Sequence, residues 1–331
     1  MENLVKELTE AYGPSGQEEG VRRLVMDQVR GKADEVLLSP IGDLHAIFNR
    51  GGATRVMLAA HLDEAGVIVS HVDENGFARF HALGNLETET LVGGRVRFAS
   101  GAMGVIGAEE WQDRGKGLEL AQLFLDFGGR SPEDCPVKAG DIGAFDRPFV
   151  SLGTRWVARA MDDRLGVAIL IETMRRLRRT PHLVQFVFTV QHQVGELGAR
   201  TSAYGLDPQI GLAVGVAPSG DTPRAPKKAV RLGKGPAILV RDARVVSDPR
   251  WVNLIVQRAE AAQIPYQIEV SDDRTTDASP IQLTRAGVPA AGISVPCRYV
   301  HTPSGMVDRQ DVEDTVRLLL EILRHPIALS D

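Results

Sequence analysis

The sequence is poor in cysteine, with only Cys135 and Cys297 in a chain of 331 residues. So small and so widely spaced a pair argues against a disulfide framework and favours a reducing compartment. The chain also lacks an excess of positive charge, and its formal net charge of −5 argues against non-specific nucleic-acid binding. No apolar run reaches transmembrane length, and the polar, acidic start is unlike a signal peptide. We therefore expect a cytoplasmic protein that binds neither membranes nor nucleic acids.

The chain contains two kinds of hydrophobic pattern, in separate parts of the sequence. Residues 1–65 and 156–331 alternate helical and strand-like patterns, which is typical of an α/β sandwich whose sheet is covered on both faces. From residue 66 to residue 155, short strand-like runs are separated by Gly and Asn, and few helical periods occur. This middle segment is predicted to be a small all-β domain inserted into the α/β domain.

Two helices are predicted at the start of the chain. The first covers residues 2–11, with Leu4, Val5 and Leu8 on one face. Ser15 and Glu18 have the spacing of a capping box, so Ser15 is predicted to cap the second helix.

Candidate functional residues follow apolar runs. His61 ends one such run, and Asp63 is placed to accept the second ring N–H of a ligating His61; the alternative is a buried histidine with satisfied hydrogen bonds. Asp162 and Asp163 precede a helical pattern, where acids also serve simply to cap a helix and complement its dipole. His301 follows a strand-like run near the end of the chain. A carboxylate combined with two distant histidines is a possible metal site.

The chain resembles the M42 metallopeptidases, cytoplasmic aminopeptidases with a co-catalytic dinuclear metal site, some of which have been labelled endoglucanases. The resemblance covers nearly the whole chain. It implies a mixed-sheet αβα sandwich of the zinc-aminopeptidase type with an inserted β-barrel. It also implies peptides or small aminoacyl compounds as substrates, and a homo-oligomer between a dimer and a dodecamer. The matching motifs are Gly13-Pro14-Ser15-Gly16, His61-Leu62-Asp63-Glu64, Met161-Asp162-Asp163-Arg164, Thr276-Asp277-Ala278 and Arg298-Tyr299-Val300-His301-Thr302-Pro303.

Part of the family's metal site is retained. By resemblance, His61 and His301 are ligands of different ions, and Asp162 is the carboxylate that bridges them. We predict that these three side chains converge at one edge of the sheet.

Other positions of the family's site are replaced. Its Glu-Glu pair, a general base followed by a ligand, falls on His192 and Gln193. Its later ligand Asp falls on Gly215, and the Glu that commonly follows the last His falls on Gly305. His192 is therefore the candidate base, and Gln193 is a weak ligand that offers only an uncharged carbonyl. Both are predicted to line the pocket, with a gap at Gly215.

Charge limits the metal content. Two divalent ions are balanced in the family by three ligand carboxylates and a hydroxide, whereas Asp162 alone would leave about three positive charges unbalanced. We expect at most one divalent ion per chain, Zn or Co. Two functions follow: an aminopeptidase or related hydrolase with altered or weakened activity, or a catalytically inactive relative that binds a peptide or protein partner.

Overall fold

The computed structural model describes residues 1–109, 117–225, 229–272 and 274–329. The helices are α1 (Glu2–Glu10), α2 (Glu19–Val29), α3 (Met161–Arg176), α4 (Leu197–Leu206), α5 (Pro249–Ala261), α6 (Ala278–Gln282) and α7 (Arg309–Arg324). The strands are β1 (Glu35–Leu38), β2 (Leu44–Phe48), β3 (Arg55–His61), β4 (Gly66–Val72), β5 (Ala78–Leu83), β6 (Arg95–Phe98), β7 (Met103–Ala108), β8 (Leu123–Asp126), β9 (Ile142–Phe145), β10 (Val150–Leu152), β11 (Arg155–Ala158), β12 (Leu183–Thr189), β13 (Ile210–Pro218), β14 (Ala237–Arg241), β15 (Gln267–Val270), β16 (Ala290–Arg298) and β17 (Gly305–Asp308).

The larger sheet is mixed and lies between two layers of helices. Its strand order is β1-β2-β12-β3-β13-β16-β17-β11-β10, and β14 and β15 extend from β16. β12, β3, β13 and β16 are mutually parallel neighbours. Because side chains alternate along a strand, Val56 and Leu58 of β3 enter the core formed with α3 and α7, whereas Met57 and Ala59 enter the core under α4 and α6. Burial on both faces explains the continuous apolar runs and confirms the predicted αβα sandwich.

A closed barrel of six strands stands beside this sheet. Its order is β4-β5-β8-β7-β6-β9, so its strands lie between residues 66 and 145. Val67, Phe80, Val96 and Leu125 are among the side chains that fill it. The predicted barrel is confirmed. The division of the chain at residues 66–155 stays a prediction, and β10, which falls inside that range, pairs with β11 in the larger sheet.

Neither cysteine forms a disulfide: Cys135 is half-buried and Cys297 is buried in β16. Among the residues that the structure describes, no helix has the length and apolar character needed to cross a membrane.

Candidate functional site

Parallel strands bring the candidate residues to one edge of the larger sheet. His61 is the last residue of β3, His192 follows β12, and His301 follows β16. Asp162 lies at the start of α3, where its backbone angles are not helical. The carboxyl ends of parallel strands are where α/β sheets bind their ligands, which is why distant motifs meet here.

His61 and Asp162 form a pair. The Nε2 atom of His61 lies 3.3 Å from Oδ1 of Asp162, and Nδ1 lies 2.9 Å from the carbonyl oxygen of Asp63. Burial opposes protonation of His61, but hydrogen bonds to Asp162 and Asp63 outweigh burial and raise the pKa of His61 well above its ordinary value. The same pairing overcomes burial at Asp162 and holds the pKa of its carboxyl below the usual range. Asp162 is thus an ionised carboxylate with one oxygen in contact with His61.

Asp63 fastens the His192 loop to the end of β3. Its fully buried carboxylate accepts hydrogen bonds from the hydroxyl of Ser15 at 2.5 Å and from the backbone N–H groups of His192 and Gln193 at 3.0 and 2.9 Å. The predicted contact with His61 uses mainly the backbone carbonyl of Asp63, since its Oδ1 lies 3.5 Å from Nδ1. Ser15 therefore does not cap α2, which has no side-chain cap in the structure.

His192 belongs to a second, independent pair. Its Nδ1 lies 2.6 Å from Oδ1 of Asp277, and Thr189 donates to the other carboxylate oxygen at 2.8 Å. The His192 ring stacks on the His61 ring, with centroids 3.9 Å apart and planes 2° from parallel. Burial opposes ionisation of Asp277, but His192 outweighs it and keeps the pKa of Asp277 low. A carboxylate at Nδ1 leaves Nε2 as the proton-accepting atom.

Three cavities meet at Asp162, and the two candidate histidine ligands line different ones. We call one of them the apolar chamber. It is a solvent-open cleft with about 490 Å³ of empty space, and Met161 and His301 lie in its wall. The polar chamber, of about 970 Å³, contains His192, Gln193 and His301. His61 lines neither of these two chambers but does line the third cavity, beside Gly215.

Gly215 leaves space at the position where the resemblance predicts a gap. A Cβ atom built there would lie 3.4 Å from Oδ1 of Asp163, an ordinary contact, and the adjoining cavity has about 310 Å³. Asp163 itself is buried and accepts hydrogen bonds from the N–H groups of Gly166 and His61. Burial raises its pKa well above the ordinary value.

These residues do not fit the dinuclear metal site of the family. Within the described parts of the chain, no three His, Cys, Asp or Glu side chains form a group that could hold a metal ion. The structure brings His61 within 3.3 Å of Asp162, with His192 stacked alongside, and His301 lines two cavities that Asp162 also lines. The convergence of His61, Asp162 and His301 on one ion stays a prediction. An ion bound at Asp162 would replace the contact of this carboxylate with His61.

Sequence reasoning missed Asp277 as the partner of His192, and Thr189 as the donor to Asp277. They lie 85 residues after His192 and three residues before it, and only the fold brings the loop of Asp277 to the end of β12. The motif Thr276-Asp277-Ala278 marked Asp277 in the sequence, but it did not indicate which residue Asp277 contacts.

An αβα domain with a barrel beside its ligand-binding edge defines an aminopeptidase-type fold. The structure superposes with a TM-score of 0.92 on an aminopeptidase from Desulfurococcus kamchatkensis, at 35% identity and with 98% and 94% of the two chains covered. It matches the TET1 peptidase of Pyrococcus horikoshii, described as assembling into a tetrahedron or a large octahedral shell, with a TM-score of 0.85 at 29% identity over 97% and 98% of the chains.

Sequence comparison identifies the family. The family model for M42 glutamyl aminopeptidase matches residues 44–318. The chain is 36% identical to a protein of Acetivibrio thermocellus named "Putative aminopeptidase", over 98% of both chains. It is 33% identical to the lysyl aminopeptidase of Pyrococcus furiosus, over 97% and 96% of the chains. The chain belongs to the M42 peptidase family, as its motifs predicted.

Proposed function

We propose that this family member binds the amino-terminal segment of peptides at the sheet edge and has lost the two-metal aminopeptidase reaction. One observation supports the proposal: Asp162, the sole carboxylate left among the positions that the resemblance assigns as ligands, is paired with His61. A two-ion centre held by one carboxylate lacks charge compensation, since each missing contact pair is worth roughly 4 kcal/mol at an effective dielectric near 20.

Peptide binding is supported by the walls around Asp162. About a third of its side chain is exposed (33%), and it borders both chambers. A carboxylate in this position is suited to the ammonium group of a peptide. We further propose at most one weakly held Zn or Co ion per chain, a cytoplasmic location, and a homo-oligomer by analogy with the TET1 peptidase.

A calorimetric experiment tests this proposal. Chelator-washed protein is titrated with Leu-Gly-Gly and with its N-acetylated form, which lacks the ammonium group. We expect binding of the free peptide and a loss of roughly 10- to 100-fold on acetylation, the usual worth of a charge-assisted hydrogen bond. Protein purified without chelator should contain no more than one divalent ion per chain and should leave aminoacyl amides intact over the assay. Two tightly held ions with rapid cleavage would contradict the proposal.

The 2.6 Å contact between His192 and Asp277 favours a second candidate, slow hydrolysis with His192 as general base. Asp277 orients the imidazole, and Nε2 removes a proton from an attacking water. On this candidate, hydrolysis of aminoacyl amides persists in chelator. The substitution His192→Gln lowers its rate by roughly 10²- to 10⁴-fold, the usual contribution of a general base. His71→Gln, on a barrel strand and exposed, is the matched control and should leave the rate unchanged. Activity that disappears in chelator, or that survives His192→Gln, would rule this candidate out.

A further inference from the structure

The apolar chamber has walls from both parts of the fold. The larger sheet and α3 supply Met161, Cys297 and Val300, and the barrel side supplies Leu86 and Phe145. The loop that carries Leu86 is held in place at two points. The N–H of Glu87 donates to the carbonyl of His301 at 3.3 Å, and Gly84 packs so closely on Gln193 that a Cβ would lie 2.3 Å from its Oε1. Since Gly84 also has a φ of +87°, other residues fit poorly there.

Apart from Asp162 at its mouth, the described wall of the chamber offers no free charge to a ligand side chain. Of the charged residues described in its wall, Glu64 and Arg159 are each 2% exposed and form an ion pair, and Glu64 also contacts Arg164. Burial raises the pKa of the Cys297 thiol, so this side chain is neutral. Asp162 and His301 stand where the apolar chamber meets the polar one.

The polar chamber, in contrast, is lined by charged side chains. Its wall contains Glu196, Arg244, Asp272 and Arg274, and it shares Asn85 and Gln193 with the apolar chamber. A peptide whose ammonium group lies at Asp162 can therefore place its first side chain in the apolar chamber and continue into the polar one.

We propose that the apolar chamber selects peptides whose first side chain is uncharged and apolar, and that Leu86, supplied from the barrel, is a specificity-determining residue. The inference rests on the proposed peptide binding and adds the class of ligand. Burying a leucine-sized side chain contributes roughly 10- to 100-fold in affinity relative to leaving it exposed. A Lys or Glu side chain in the same position would lose its hydration without gaining a partner.

The test is calorimetric titration of the intact protein with X-Gly-Gly peptides in which X is Leu, Met, Gly, Lys or Glu. We expect Leu and Met to bind at least about tenfold more tightly than Gly, Lys and Glu. Leu86→Glu should remove that preference and favour the peptide with X = Lys. Leu86→Gln, in which Gln is the uncharged isostere of Glu, should weaken binding of the peptide with X = Leu without favouring X = Lys. Because Leu86 contacts the barrel core, Thr302→Glu and its control Thr302→Gln, on another part of the wall, provide a second pair of variants.

The outcomes separate the two proposals. Peptides that bind without regard to the first side chain, or best with Lys or Glu, would overturn the inference while leaving peptide binding in place. Failure of all five peptides to bind would overturn the proposed function and this inference with it. A folded Leu86→Glu protein that kept the leucine preference would exclude Leu86 as a determinant.

Discussion

Replacing His192 and Gln193 by Glu, and Gly215 by Asp, should convert the protein into a two-metal aminopeptidase. The change adds two ligand carboxylates to Asp162 and supplies a carboxylate base. Space for the new Asp exists, because a Cβ at Gly215 meets Asp163 at no less than 3.4 Å and Gly215 lines a solvent-open cleft. Each added unit charge near an ion is worth roughly 4 kcal/mol at an effective dielectric near 20, so affinity should rise by more than about a hundredfold.

Elemental analysis, thermal unfolding with and without added Zn, and hydrolysis of aminoacyl amides measure the outcome. The metal-free variant should unfold at a lower temperature than the parent, because it buries carboxylates without partners, and Zn should restore its stability by binding the folded state. The matched control combines His192→Gln with Gly215→Asn and keeps Gln193, which preserves the size of the new groups without their charge. Equal metal content in the variant and this control would refute the charge argument.

The placement of His61 and His301 at one edge of the sheet was predictable because it depends on strand ends. His61 and His301 each follow an apolar run, and parallel strands of an α/β sheet end at the same edge. The mixed sheet, its two helical layers and the barrel also followed from hydrophobic patterning and motifs. The sheet, its helical layers and the barrel depend on local sequence, and the structure confirms them, whereas the roles of the site residues stay a prediction.

Partners distant in sequence were not predictable. Ser15 has the spacing of a capping residue, yet its hydroxyl donates a hydrogen bond to Asp63, 48 residues away. A buried carboxylate needs hydrogen-bond donors, and the fold places Ser15 next to it. Helix α4 was also missed. Its Ala- and Gly-containing sequence has little amphipathic pattern, and its buried residues, Gly198, Ala199, Ser202 and Ala203, are small. The role of Arg164 depends likewise on contacts that no local pattern shows.

Arg164→Met should destabilise the fold more than any change at the surface. The guanidinium is fully buried (0% exposed), and its Nη1 and Nη2 donate to the carbonyls of Leu8 and Gly13 at 2.6 and 2.9 Å. Its Nε donates to the carbonyl of Leu62, and Nη2 lies 3.3 Å from the carboxylate of Glu64. Arg164 thus ties the first helix and the following loop to the end of β3. Removing the guanidinium leaves these buried carbonyls without their donor, which costs roughly 1–3 kcal/mol for each group, while Glu64 keeps its ion pair with Arg159.

Denaturant unfolding measures the loss, and Arg23→Met is the control. Arg23 forms an exposed pair with Glu19 one helical turn away, with 74% and 63% of the side chains accessible, so its removal should change the unfolding free energy by less than about 1 kcal/mol. The loss of unfolding free energy for Arg164→Lys should lie between those for Arg164→Met and Arg23→Met. An ammonium keeps the charge but cannot reach carbonyls on several segments at once. A loss at Arg164 no larger than that at Arg23 would mean that backbone packing, rather than this guanidinium, holds the start of the chain against the site.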